Sequence, residues 1–313
     1  MPLLAIVGPT ATGKTELSVR IARNLGSEIV SADSMLIYRY MNIGTAKPTI
    51  SERKGIPHHM IDVADPDEMY NVAIYSQSAR KLLREIYERG NLPILAGGTG
   101  LYIKAVIDGY NFSEAASDHE LREKLKKECE SLGREALHDR LKKVDPETAS
   151  RLHINDVKRV IRALEVYYLS GKTISSSSEK EKQTPYNLLM YGLTMDREKL
   201  YARIEERVDK MIGAGLVEEV KDLLARGFSE NLTSMQGLGY KEIILYLKGK
   251  MTLDEAVDLL KKNTRRFAKR QLTWFRRDSR IIWADVGERE MEEVASEITR
   301  SAEGVLKPAS NVF

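Results

Sequence analysis

A single cysteine, Cys129, stands in 313 residues. No internal disulfide is possible, and a reducing cytoplasm is the expected setting. The five histidines, His58, His59, His119, His138 and His153, show no metal-ligand spacing. With one cysteine beside them, a zinc site is not expected. No apolar run approaches the roughly 18 residues of a membrane span, so no membrane partner is expected. The start, Met1-Pro2-Leu3-Leu4-Ala5-Ile6-Val7, lacks the basic region and cleavage site of a signal peptide; its apolar run ends in a glycine loop, which suits a buried first strand. An excess of one charge is also missing. Lys and Arg number 49 against 46 Asp and Glu, a net charge of +3, so the placement of charge carries more information than its sum. There is no internal repeat.

What is present is an ordinary globular composition, 42% hydrophobic and 30% charged, long enough for two domains. The first half alternates strand and helix. Leu3–Val7 precedes a glycine loop, and Lys14–Leu25 carries Leu17, Ile21, Ala22 and Leu25 at helical spacing, with Gly26 as a stop. Glu28–Asp33 reads as a second strand, Asn71–Gly90 as a long helix, and Leu92–Ala96 as a strand running into Gly97-Gly98-Thr99-Gly100. This alternation predicts an α/β fold: a P-loop NTPase-like parallel sheet flanked by helices. Residues 113–187 lose the strand pattern and read as a helical insertion domain, interrupting a core made of residues 1–112 and 188–313. Within it, Ser175-Ser176-Ser177-Ser178 followed by Glu179-Lys180-Glu181-Lys182 reads as a mobile polar loop. Helices are expected over Arg197–Ile212, Leu216–Ala225, Leu253–Arg277 and Glu290–Ala302, and strands at Leu188–Leu193 and Arg280–Asp285.

The strongest motif is Gly8-Pro9-Thr10-Ala11-Thr12-Gly13-Lys14-Thr15, which matches G-x-x-x-x-G-K-[ST] between a strand and a helix. Its glycines let the backbone N–H groups turn toward an anion, and the helix N-terminus adds partial positive charge. Lys14 supplies a full charge and the Thr15 hydroxyl can ligate Mg²⁺. The motif does not say which phosphate compound binds. Two further loops fall where strands end, the place where ligands sit in such sheets. At the first, Asp33 could bind a kinase substrate, hold a metal as a Walker B carboxylate, act as a general base, or simply cap a turn. At the second, three glycines around Thr99 imply close backbone approach or unusual φ, and a plain turn is an equal reading. Between Lys261 and Arg280 nine basic residues face one acid, Asp278. Lys262, Arg266 and Arg270 share a helix face opposite Ala268, Leu272 and Phe275, with Phe267 and Trp274 beside the latter. That pattern is an electrostatic footprint for nucleic acid, weighed against a merely solvated face. Lys158-Arg159-Val160-Ile161-Arg162 is a smaller basic cluster. Arg203 and Arg207 lie four apart, suited either to an anionic site or to pairing with nearby acids.

Taken together these stretches resemble the bacterial tRNA dimethylallyltransferases. The resemblance is carried by Gly8–Thr15, by Ser31-Ala32-Asp33-Ser34-Met35 with Tyr38-Arg39, and by Asn42-Ile43-Gly44-Thr45-Ala46-Lys47-Pro48. It continues through His58-His59-Met60-Ile61-Asp62, Gly97–Tyr102, Asn155-Asp156 with Arg159, Arg162-Ala163-Leu164-Glu165, Gly237–Lys241 and Lys269–Phe275. It spans nearly the whole chain in the family's order. It implies transfer of a dimethylallyl group from dimethylallyl diphosphate to N6 of adenine 37 in tRNA, in the cytoplasm, by a monomer using Mg²⁺ at Thr15. Gly8, Pro9, Thr10, Ala11, Thr12, Gly13, Lys14 and Thr15 would hold the diphosphate with Arg203 and Arg207. Asp33 would take the amine proton and Thr99 would orient the flipped base. Contacts to the tRNA would come from Asp33, Ser34, Met35, Leu36, Thr99 and Arg122, from Lys158, Arg159, Val160, Ile161 and Arg162, and from Gln236, Gly237, Leu238, Gly239, Tyr240 and Lys241. The insertion would grip the anticodon stem-loop. One departure is Leu36-Ile37 where some bacterial members carry Gln-Val, next to but not at Asp33.

The competing expectations are a P-loop kinase of a small molecule or nucleotide, a relative prenylating free AMP, and a non-enzymatic RNA-binding protein. The first two leave the basic helix without a task, and the third predicts that Asp33→Ala keeps RNA binding and that no product ever forms.

Overall fold

Five apolar residues in a row make a strand only where both faces are covered, and that is how β1 (Pro2–Val7) is placed. Leu3, Ala5 and Val7 point into one core while Leu4 and Ile6 point into the other, all without exposure. The computed structural model describes residues 1–109, 118–178 and 184–306. Two compact units are present: residues 1–108 with those from 184 onward, and the segment between.

In the first unit β1 leads through the glycine loop into α1 (Lys14–Leu25), which stops where Gly26 takes a left-handed φ of 61° and returns its N–H to Ala22 and Arg23. The chain continues through β2 (Ile29–Ser31), the short α2 (Ile50–Arg53) and β3 (His58–His59). It then enters α3 (Val72–Glu88), started by Asn71, whose side chain accepts from the amides of Ala73 and Ile74. β4 (Ile94–Gly97) and α4 (Gly100–Ile107) complete the first half. After the second unit come β5 (Asn187–Thr194), α10 (Arg197–Gly213), α11 (Leu216–Ala225), α12 (Tyr240–Leu247), α13 (Leu253–Phe275), β6 (Ile281–Asp285) and α14 (Met291–Leu306). The second unit itself holds α5 (His119–Leu132), α6 (Arg134–Val144), α7 (Pro146–Arg151), α8 (Val157–Ser170) and α9 (Ile174–Ser178) around Leu125, Leu137, Leu141, Val160 and Leu164.

Six strands form one all-parallel sheet in the order β3-β2-β4-β1-β5-β6. Helices α1, α10 and α14 pack on one face through Leu17, Ile21, Ile204, Val294 and Ile298. Helices α3 and α4 cover the other through Tyr75, Leu83, Ile103 and Val106. A third core, around Tyr240, Ile243, Leu216 and Val220, ties α11 and α12 to the loop carrying Ile37, Tyr38 and Met41. The expected P-loop-type α/β fold is therefore observed.

Two local expectations are decided. Gly100 begins a helix, so of the two readings of its loop the plain turn is set aside. Ser175–Ser178 belong to a helical turn, α9, instead of a mobile loop; Asp145 accepts from the Ser175 amide at 3.2 Å and anchors its start. The Glu179–Lys182 part of that expectation, and the boundary at residues 113–117, lie outside the described residues.

Candidate active site

The sheet order places the carboxyl ends of β2, β4 and β1 side by side. Asp33, Thr99 and the P-loop follow those three ends, so residues up to about 90 apart in sequence meet at one edge, the usual ligand crevice of such sheets.

The P-loop is a preformed cradle. Gly8 (φ 146°) must be glycine, since a Cβ there would lie 2.9 Å from the Leu193 carbonyl of the neighbouring strand. Ala11 and Gly13 take left-handed φ values of 66° and 85°, the kind of turn that gathers successive amides into an anion nest. The buried Thr12 donates its hydroxyl to the Pro9 carbonyl at 2.8 Å, and Lys14 Nζ donates to the same oxygen at 2.6 Å. Thr15 opens α1 with an exposed side chain.

Three charges sense one another here. Burial pulls the Lys14 ammonium down to about 7, with Asp33 opposing that fall and Arg207 deepening it. Burial also holds Arg207 below its ordinary value, again opposed by Asp33, and by Glu52. Lys14, Arg207 and Asp33 therefore act on one another within one partly buried site. Arg203, one turn from Arg207 on α10, is exposed and acts on the Glu206 carboxylate, so the structure does not bring the second arginine of that pair into this group.

Asp33 accepts the Met35 amide at 2.9 Å on one carboxylate oxygen, which fixes the side chain in a tight turn. Thr99 accepts the Ser34 amide at 3.0 Å and donates to the Ser34 hydroxyl at 3.3 Å. Its own amide donates to Ala32 at 3.1 Å. The two loops are thereby locked to each other. The three glycines do mark close approach: a Cβ on Gly97 would meet the Ala32 carbonyl at 2.2 Å, one on Gly98 the Gln271 amide at 2.4 Å, and one on Gly100 the Trp274 ring at 2.2 Å.

The loop beyond Asp33 is anchored by two residues that sequence reading did not single out. Glu219 on α11 accepts from the amides of Asn42, Ile43 and Gly44 at 2.8, 2.7 and 3.0 Å and from the Tyr240 hydroxyl at 2.7 Å. Lys47, buried, donates to the Tyr38 carbonyl at 2.7 Å and to Asp62 at 2.5 Å. A third is Gln271 on α13, whose carbonyl oxygen accepts from the Thr10 amide and whose amide donates to the Gly98 carbonyl, both at 2.9 Å. The signal was in the sequence for Gln271 alone: a polar residue on the stripe Thr264, Ala268, Gln271, Phe275 must have partners if that stripe is buried.

The outward face of α13 is basic as expected. Lys262, Arg266, Lys269 and Arg270 are exposed, as are Arg276 and Arg277 just beyond its end. Lys261 and Arg265 are instead paired with Asp209 and Glu205 of α10. Gln236 is exposed, Gly237 backs onto the Met35 side chain, and Lys241 is partly exposed beside Glu242. Four of the expected tRNA contacts fall on buried positions. Tyr240 has no exposure and its hydroxyl is held by Glu219; Gly239 is buried, its amide donating to Glu242. Val160 and Ile161, at 1% and 9% exposure, lie on the apolar face of α8 inside the second unit's core. Their neighbours Lys158 and Arg159 remain outside. Arg122 is exposed and Arg162 partly so, and both grip the fully buried Glu165, at 2.8 and 2.6 Å.

No group of three or more His, Cys, Asp or Glu side chains suited to a metal is found among the described residues. A divalent cation here could be held by the Thr15 hydroxyl together with oxygens of an anion and water. No described helix is long and apolar enough to cross a membrane.

Comparison with known proteins is consistent along the whole chain. The family model described as IPP transferase matches residues 36–278. A tRNA dimethylallyltransferase of Pelotomaculum thermopropionicum is 59% identical over 97% of this chain and 98% of its own length. The full-length tRNA isopentenylpyrophosphate transferase from Bacillus halodurans superimposes with a TM-score of 0.75 at 48% identity, covering 97% of this chain and 96% of that one. A eukaryotic dimethylallyltransferase acting on tRNA gives 0.82 at 28% identity, covering 97% of this chain and 78% of its own.

Proposed function

The chain belongs to the IPP transferase family, and from that premise we propose that it prenylates tRNA, moving a dimethylallyl group from dimethylallyl diphosphate to N6 of adenine 37 and releasing diphosphate. The observation that carries the chemistry is the meeting of an anion cradle, a carboxylate and a threonine hydroxyl at three adjacent strand ends.

An adenine amine is a poor nucleophile because its lone pair is delocalised into the ring. An allylic carbon compensates, since positive charge developing at C1 is shared across the double bond. As the N6–C1 bond forms, the C1–O bond breaks and its electron pair leaves on the diphosphate. Backbone amides of the P-loop, Lys14 and Arg207 are preorganised for that charge. Asp33, one oxygen fixed by the Met35 amide, takes the N6 proton on the other, a role worth roughly 10²–10⁴-fold. Thr99 orients the base, which must leave its stack at a cost of a few kcal/mol, least in an unpaired loop. Thr15 would hold Mg²⁺, which when bound adds positive charge beside the diphosphate.

Phosphate contacts are assigned to the exposed basic residues of α13 and to Gln236 and Lys241. Arg122, Lys158, Arg159 and Arg162 of the second unit are assigned to the anticodon stem-loop. The working unit is taken to be a monomer, acting in the cytoplasm where tRNA resides.

Unmodified tRNA incubated with labelled dimethylallyl diphosphate should take up label at adenine 37. Asp33→Asn should lose roughly 10²–10⁴-fold in rate with tRNA affinity retained. No label on RNA together with ATP-dependent phosphorylation of an acceptor would replace this reading with a kinase. Free AMP competing as acceptor would replace it with an adenylate prenyltransferase.

A further inference from the structure

Gln271 lies where the two halves of the site join. It is 6% exposed, on the inner face of the helix whose outer face is the basic stripe. A single side-chain amide reaches two loops: its oxygen takes the Thr10 N–H of the P-loop, and its nitrogen gives to the Gly98 carbonyl next to Thr99, each at 2.9 Å. These partners lie 261 and 173 residues away in sequence. Space is arranged around it. A Cβ on Gly98 would fall 2.4 Å from the Gln271 nitrogen, and one turn further along, Trp274 occupies the space above Gly100. Neither partner can be satisfied otherwise without cost, because both are backbone groups turned inward.

We propose that Gln271 is a positioning residue that sets the distance between the diphosphate cradle and the base-orienting loop while touching neither substrate. The inference rests on the transferase reading for its kinetic test. The chemistry explains why the spacing matters. Attack on an allylic carbon needs the amine and the departing oxygen held on opposite sides of C1, and misplacement by about 1 Å can cost on the order of 100-fold. Thr99, bonded to Ser34 beside Asp33, carries the base side of that geometry; the P-loop carries the leaving-group side. Gln271 is the residue bonded to both. Of the polar side chains, only one with a donor and an acceptor at the same reach can hold two backbone groups of opposite kind.

Two variants test this. Gln271→Met keeps the volume and removes both bonds. Gln271→Asn keeps the amide but is one methylene short of spanning the loops. For each, kcat and the KM of both substrates are measured per folded molecule, alongside inorganic diphosphate affinity by calorimetry. We expect kcat to fall about 10- to 100-fold, and both KM values to rise several-fold. Diphosphate affinity should fall by roughly two- to tenfold, because the cradle loses the anchor at its Thr10 amide and must be ordered by the anion itself, a cost on the order of one hydrogen bond. A side chain that only supports the fold would lower the melting temperature and the active fraction while leaving both KM values in place. Parent-like KM values, a change confined to one substrate, or full rescue by Asn would overturn the proposal. If the parent transfers nothing to tRNA, the functional reading fails instead; the diphosphate measurement then decides, with an unchanged affinity in both variants overturning the positioning role.

Discussion

Lys14 offers the sharpest test of the site's electrostatics, and it can be run on the protein with no substrate present. Burial lowers its ammonium from 10.5 to about 7, so folding forces a cation into a place that disfavours it. Below pH 7 the lysine is charged in both folded and unfolded chains, and the penalty is present in full. Between about pH 7 and 10.5 the unfolded chain binds the proton and the folded one does not, so stability rises with pH at up to about 1.36 kcal/mol per unit. From pH 7 to 9 this one group should add up to roughly 2.7 kcal/mol. Lys14→Met removes the titration while keeping most of the volume. Urea unfolding of parent and variant at several pH values between 6.5 and 9.5 measures the difference, and groups titrating in both proteins cancel. The parent should gain on the variant as pH rises. Saturating inorganic diphosphate should flatten the parent's rise, because a bound anion restores the charge on Lys14. Profiles that stay parallel within about 0.5 kcal/mol would refute the argument that burial holds the Lys14 ammonium down.

Other consequences can be measured separately. Glu219→Ala leaves three backbone amides and the Tyr240 hydroxyl without their carboxylate; we expect a loss of about 2–4 kcal/mol in urea unfolding, against about 1 kcal/mol for Tyr240→Phe. Gly97→Ala drives a Cβ to 2.2 Å from the Ala32 carbonyl, two stiff backbones with nowhere to move, and should cost about 1–3 kcal/mol or more. At Gly90, where φ is 84° but nothing lies within 4 Å, the same change should cost only about 1 kcal/mol. Arg276→Ala with Arg277→Ala should weaken tRNA binding and lower the slope of log K against log salt by about one for each phosphate contact removed; an unchanged slope would take these two arginines off the RNA path. Glu165→Gln should weaken tRNA binding through Arg122 and Arg162, which it holds, while diphosphate affinity stays within twofold.

Some of this molecule could be read directly from the chain. Leu3–Val7, the glycine loop and Lys14–Leu25 are contiguous, so apolar run, turn chemistry and helical spacing together gave strand, loop and helix. The basic face of Leu253–Phe275 was legible for the same reason, since charge at a spacing of four is a local property. Within the basic cluster at Lys158–Arg162, Val160 and Ile161 follow the helical period into the core, which a resemblance carried over position by position does not distinguish. The tertiary structure alone decided what stands beside what. Asp33, Thr99 and the P-loop meet because the strands pair in the order β2-β4-β1, an outcome of how crossovers pack. Glu219, Lys47 and Gln271 acquire their roles from partners 9 to 261 residues distant, and no periodicity records which partners those are. Sequence patterns report which face of an element is buried; only packing determines which backbone groups that face must satisfy.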